Sequence, residues 1–158
     1  MIKQLLMNLL LTLVWMALTG MFMFINFMFG FVLSFFILWI MARKNEDRRY
    51  YYRLPKIIAF LFFFFYELLK ANFEVAFDVI TPRFFMKPGI VQIPLDAKTD
   101  LEITLLANLI TLTPGTLALD VSDDKTVLYV HGMYIKNKDQ FVGHIKMGFE
   151  KRLLEILR

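Results

Sequence analysis

Glu67, Lys70, Glu74 and Asp78 follow one another at spacings of 3, 4 and 4. On a helix turning roughly 100° per residue they fall within an arc of about 80°. Three carboxyls around one ammonium on a single helical face are the part of this sequence best suited to chemistry. Such a ridge can couple to cations, pair internally through Lys70, meet solvent or dock on another protein. No other group offers as much. His131 and His144 have no second His, Asp or Glu at i+3 or i+4, so neither has the spacing of a metal or acid–base pair. Asp120, Asp123 and Asp124 cluster near a turn but lack the alternating ligands and distant bidentate acid of a calcium loop. Leu112-Thr113-Pro114-Gly115-Thr116 has one glycine and no Gly-Lys-Ser/Thr ending, so it is no phosphate cradle. It reads as a helix stop and tight connection, with Thr113, Pro114, Gly115 and Thr116 also available as a contact surface for another protein.

The sequence has no Gly-x-Ser-x-Gly, no His-Glu-x-x-His and no paired-carboxylate site. It has no cysteine, which removes disulfides, thiolate metal sites and cysteine nucleophiles. The reading is of a protein that is not an enzyme and needs no cofactor or metal.

The elements that must carry the ridge begin with a hydrophobic block. From Gln4 to Ala42 there is no charged side chain. As one helix these residues would reach roughly 58 Å, nearly twice a hydrocarbon core of about 30 Å. Two short spans fit instead, with a turn between Thr19-Gly20 and Asn26, where the turn-forming residues lie. This predicts a transmembrane hairpin over residues 1–42, its helices at about 3–19 and 24–42. The start is not expected to be a cleaved signal, because the apolar run far exceeds a signal core. The hairpin's polar residues, Asn8, Thr12, Thr19, Asn26 and Ser34, are not ionisable. They cannot carry an ion path alone. Asn8 and Thr12 share a face and are placed to bond across to another helix, and Asn26 is a further contact candidate.

Residues 43–56 hold six basic side chains in fourteen, from Arg43 to Lys56. They predict a cytoplasmic loop lying against anionic headgroups. The net charge of +4 is concentrated beside the membrane and forms no stripe for nucleic acid. Residues 57–82 are ambiguous. Ile57 to Tyr66 is wholly apolar, and then the charged ridge begins. An amphipathic helix at the interface, or docked on protein, accounts for the ridge; a third span is the alternative. The first leaves the C-terminal domain in the cytoplasm, and the second exports it.

Lys87-Pro88-Gly89 is a linker, and residues 88–158 read as a small α/β domain of order β-α-β-β-α. A strand over Ile90–Pro94 precedes a helix opened by the capping box of Thr99 and Glu102. Strands at about 116–121 and 126–133 are joined through Ser122-Asp123-Asp124-Lys125. Asn137 caps a last helix with apolar positions Phe141, Ile145, Phe149, Leu153 and Ile156. Its charges Lys146, Glu150, Lys151 and Glu155 are expected on a solvated face. The fold class is an α-helical membrane hairpin of two, or alternatively three, spans, an amphipathic helix and this domain, with its helices on one face of the sheet.

Leu105-Leu106-Ala107-Asn108-Leu109-Ile110-Thr111-Leu112-Thr113-Pro114-Gly115-Thr116, then Asp120-Val121-Ser122-Asp123-Asp124 and Leu128-Tyr129-Val130-His131, resemble the E subunit of Mrp-type multisubunit sodium/proton antiporters. The similarity extends over the whole chain, through the hydrophobic block, the basic segment, Lys87-Pro88-Gly89 and Phe149-Glu150-Lys151-Arg152. The resemblance implies an accessory subunit of a hetero-oligomeric antiporter in the bacterial cytoplasmic membrane, serving sodium and pH homeostasis. Its partners would be the other antiporter subunits. The main ion path would lie in those partners, and the family assigns no catalytic residue to this subunit. The alternative, from a different class, is a membrane-anchored ligand-binding or regulatory module.

Overall fold

The computed structural model describes residues 2–42, 45–81 and 86–158, with the side chains of 45–49 left aside. Two compact units emerge, Met1–Pro55 and Lys56–Arg158.

In the first unit, α1 (Ile2–Thr19) and α2 (Phe24–Met41) form the hairpin. Both are long and apolar enough to cross a bilayer. The turn falls at Gly20, whose φ of +66° is the left-handed conformation that glycine adopts without a Cβ clash. Burial is inverted relative to a water-soluble pair. The covered stripe is Asn8, Thr12 and Met16 on α1 and Gly30, Ser34 and Leu38 on α2, each at four-residue spacing. Leu6, Leu10, Leu13, Phe29 and Ile40 are exposed. A seam made mostly of small and polar residues, with large apolar ones outside, is the packing expected where lipid is the solvent. At Gly30 a Cβ would stand 2.8 Å from Trp15 Cδ1, so glycine is what lets the ring sit against α2.

Helix α3 (Asn45–Ile80) corrects the expected loop over 43–56. Arg43 and Lys44 lie outside the described residues, but from Asn45 the chain is already helical. The loop reading rested on charge and Pro55. Charge sets membrane sidedness without opposing helix, and Arg, Glu and Leu are good helix formers. Pro55 has no N–H for the preceding turn, yet the helix continues through it. Within this unit Leu38, Tyr50 and Tyr51 form a small cluster with Phe35, and Asn8 Nδ2 donates to Tyr50 Oη at 3.3 Å. Thr12 behaves differently from expectation. Its hydroxyl turns back to the Asn8 carbonyl at 2.8 Å rather than bonding across.

The second unit takes the rest of α3, which ends at Ile80. Strands β1 (Gly89–Pro94), β2 (Thr116–Val121) and β3 (Val127–Gly132) form an antiparallel sheet in the order β1-β3-β2. Pairings Val91↔Val130 and Ile93↔Leu128 put four apolar side chains on one face, as a two-residue period requires. Leu106 and Ile110 of α4 (Asp100–Leu112) close over them, with Ile145, Phe149 and Leu153 of the C-terminal helix. Phe63 and Phe64 of α3 pack on the same core, and Arg152 stacks over the Phe63 ring. The opposite face bears Ile90, Leu117 and His131, which share one register position.

The C-terminal helix is α5 (Lys138–His144), a π-helical turn over Ile145–Glu150, and α6 (Lys151–Leu157). Asn137 caps it by accepting from the Asp139 and Gln140 amides. The wide turn corrects the solvated face expected for Lys146 and Glu150. Glu150 is 1% exposed. Its Oε1 accepts the Asp96 and Ala97 amides at 2.6 and 2.9 Å. Its Oε2 stands 3.0 Å from Lys146 Nζ, an ion-pair contact without hydrogen-bond alignment. Lys146 also reaches Asp96 and the Pro94 carbonyl, both at 2.7 Å. Burial lowers the Lys146 pKa, but the Asp96 and Glu150 contacts outweigh it and the net shift is upward.

The Thr99–Glu102 capping box is present in full. Arg158 adds Nε to Glu102 Oε1 at 3.0 Å and Nη2 to the Asp96 carbonyl at 3.0 Å. Arg158 and the Lys98 amide hold the Glu102 carboxyl at about 2. Its folded pKa therefore lies below the ordinary unfolded value of about 4.3. The stabilisation is complete above that value and is lost as pH falls toward 2. Arg158→Ala should lower the denaturant midpoint at pH 6, and the gap to the parent should close near pH 2. A gap independent of pH would contradict this ion pair.

Candidate functional site

The acidic ridge does not stand alone. Across a half-open cleft of about 1010 Å³, residues of α3 face the α4–β2 connection and the segment after β3. Glu67, Lys70, Glu74 and Asp78 line one side, and Thr113, Pro114, Gly115 and Thr116 line another. Two groups singled out separately from the sequence are thus brought together. Asn8, Thr12 and Asn26 belong to the hairpin unit and take no part.

Helical spacing turns the ridge toward the sheet domain, but unevenly. Glu67 and Asp78 are 8% and 6% exposed, whereas Lys70 and Glu74 are open to solvent. Glu67 Oε2 lies 3.3 Å from His144 Nε2 and 4.0 Å from Lys70 Nζ. His144, which had no partner by local spacing, finds one through the tertiary fold. Asp78 Oδ2 is buried with no hydrogen-bond partner among the described residues. The same holds for Tyr134 Oη. Burial first, then the approach of Asp78, and then the charges of Asp78 and Glu74, push the Tyr134 phenol up to about 12. That approach stops short of a completed hydrogen bond.

The Thr113–Thr116 turn is held by its own hydroxyls. Thr113 Oγ1 donates to the Leu109 carbonyl at 3.1 Å, and Thr116 Oγ1 to the Ile110 carbonyl at 2.6 Å. Gly115 has φ +85°, and a Cβ there would press on the Tyr134 ring at 3.3 Å. This turn therefore shapes the cleft, with its hydroxyls directed to the backbone.

Sequence reasoning missed Tyr134, Lys87 and Lys136, which also line the cleft. Lys87 and Tyr134 meet in an isolated parallel bridge, in which the Lys87 amide donates to the Met133 carbonyl at 2.9 Å and the Ile135 amide to the Lys87 carbonyl at 3.0 Å. No local pattern announces such a bridge. Among the described residues no group of three His, Asp or Glu is close enough to hold a metal ion. The cleft's walls are mainly apolar, from Phe73, Phe77, Ile110 and Phe141. Apolar walls with a few polar and charged side chains among them are the usual make-up of a binding cleft.

A family model described as "Na+/H+ ion antiporter subunit" matches residues 8–156. The E subunit of the Na(+)/H(+) antiporter of Alkalihalophilus pseudofirmus is 37% identical over 155 residues, covering 98% of each chain. The E1 subunit from Staphylococcus haemolyticus is 37% identical over 153 residues, covering 97% of this chain and 96% of that one. A chain in the Mrp complex from Dietzia sp. DQ12-45-1b aligns with a TM-score of 0.50 at 33% identity, covering 65% of this chain and 96% of the other. A chain of the membrane-bound sulfane sulfur reductase, an archaeal respiratory membrane complex, aligns with a TM-score of 0.55 at 26% identity and 98% coverage of both.

Proposed function

Because this chain belongs to the family of Na+/H+ antiporter E subunits, we propose that it is an accessory membrane subunit of a multisubunit sodium/proton antiporter, needed for assembly or activity rather than forming the main ion path. The observation that carries this reading is the near-full-length match to E subunits. The hairpin supports it: its covered seam is polar but has no group to titrate, so it suits packing better than ion conduction.

The exposed side of α3 supports a finer placement. Leu61, Phe62, Phe65, Leu69, Phe73, Phe77 and Ile80 are exposed along one side of the helix, while its charged side meets the sheet domain. A helix apolar on one side only fits the membrane surface better than a crossing. The protein then has two spans in the bacterial cytoplasmic membrane. The basic stretch from Arg43 to Lys56 lies at anionic headgroups, and the Lys56–Arg158 unit is cytoplasmic. Asn8, Thr12 and Asn26, with Glu67, Lys70, Glu74, Asp78 and Thr113 to Thr116 of the cleft, are the proposed contacts with other subunits.

The test is reconstitution. The pure chain in liposomes should move no sodium against a pH gradient, and exchange should be lost from membranes lacking the chain and return when it is restored. Exchange by the pure chain would overturn the accessory role. The cleft also favours the second reading, a ligand-binding or regulatory module within such a subunit.

A further inference from the structure

Asp78 and Tyr134 present a chemical demand that their surroundings do not meet. Asp78 Oδ2 and Tyr134 Oη are buried where the two side chains approach each other, and neither oxygen completes a hydrogen bond among the described residues. Leaving such groups unmade is costly, which points to a donor arriving from outside the chain. A bare metal ion is a poor candidate, since no three acidic or histidine groups converge among the described residues and the walls are largely aromatic. A primary ammonium fits better, because it brings three donors without demanding a closed oxygen shell.

The other side of Tyr134 is positive. Lys87 lies opposite it in the isolated bridge, and Lys136 follows two residues later in the chain. Both lysines line the cleft, and neither lies within 4.0 Å of an acidic oxygen among the described residues. The cleft is therefore dipolar, acidic toward α3 and basic toward the β3 side. Phe73 and Phe77 line it while belonging to the exposed apolar side of α3. The binding wall thus continues into the face assigned above to lipid.

We propose that this cleft holds the headgroup of a zwitterionic aminophospholipid, with its primary ammonium at Asp78 and Tyr134, its phosphate at Lys87 and Lys136, and its glycerol and upper acyl chains along Phe73 and Phe77. The proposal rests on the membrane-surface placement of α3. A soluble amine would use neither the lysine pair nor the apolar continuation. An anionic lipid without an ammonium would leave Asp78 unmatched. A choline lipid has a quaternary nitrogen with no N–H to donate.

The experiment uses the full chain in phosphatidylcholine nanodiscs, after flotation has shown that it resides in the bilayer; failure at that step would sink the membrane reading itself. A trace of phosphatidylethanolamine with a photoreactive acyl chain is then cross-linked, and the labelled peptides are identified by mass spectrometry. Label should fall on the peptides carrying Phe73 to Asp78 or Tyr134 to Phe141. Unlabelled phosphatidylethanolamine should compete at least about tenfold better than phosphatidylcholine, the size expected for one charge-assisted hydrogen bond. Asp78→Asn should erase that preference, and the double variant Lys87→Gln, Lys136→Gln should weaken competition by both phosphatidylethanolamine and phosphatidylglycerol. Equal competition by the choline lipid, label outside the cleft, a preference that survives Asp78→Asn, or equal competition by free phosphoethanolamine would each overturn the proposal. If Asp78→Asn does not fold, the lipid competition in the parent chain decides alone.

Discussion

Replacing Glu150 with alanine should cost the Lys56–Arg158 unit about 3 kcal/mol, the usual loss when one partner leaves a buried ion pair. The change removes the acceptor for two backbone amides, those of Asp96 and Ala97, at 2.6 and 2.9 Å. It also leaves Lys146 with Asp96 and the Pro94 carbonyl but without its buried counter-charge. Glu150 ties the end of β1 and the residues before α4 to the C-terminal helix, so the loss spreads across the core. Glu150→Gln separates the two roles. Its amide oxygen can still accept from the Asp96 and Ala97 amides, and the loss should fall to about 1–2 kcal/mol. Denaturant titration of the full chain in mild detergent measures both variants. Hydrogen exchange at residues 96 and 97 should accelerate in Glu150→Ala and stay closer to the parent in Glu150→Gln. An alanine variant as stable as the parent would mean that Glu150 is a solvated charge after all.

Asn26→Ala should cost the hairpin about 2 kcal/mol, since polar contacts between membrane helices each contribute roughly 0.6–1.7 kcal/mol. One amide side chain makes three contacts there. It accepts from Trp15 Nε1 at 2.9 Å and donates to Thr19 Oγ1 and the Met21 carbonyl, both at 2.7 Å. Those contacts close the turn around Gly20 and fix Trp15, which in turn rests on Gly30. Without them the indole N–H must find another acceptor in an apolar setting. Trp15 emission followed through a denaturant titration reports the loss. Asn72→Ala is the control, since Asn72 bonds its own helix, at the Leu68 carbonyl, and should change little. Equal effects from the two substitutions would show that Asn26 has no special part in the turn.

These two residues also show where sequence reasoning reached and where it stopped. Asn26 was legible as a turn former, because Gly and Asn are the turn-forming residues near the middle of a long uncharged block. Its three bonds were not, because Trp15 and Thr19 become its neighbours only once two helices lie antiparallel. Glu150 was misread outright. Lys146 and Glu150 have the i, i+4 spacing of a solvated pair, and the π-helical turn that carries Glu150 inward leaves no local trace. The ridge of α3 was legible because four charges on one helical arc are a local pattern. The cleft opposite was not: the lysine–tyrosine bridge and the His144–Glu67 contact join residues far apart in sequence.

Residue order alone decided the features whose cause is local. The uncharged block separates from water within any short window, the capping box closes between Thr99 and Glu102, and the alternation in β1 and β3 assigns an inner face residue by residue. The tertiary structure alone decided which charges meet. Burial and pairing depend on what lies across from a side chain, and a sequence records only what lies beside it. That is why Glu150 is hidden, and why Asp78 sits against Tyr134 in a cleft that the order of residues did not announce.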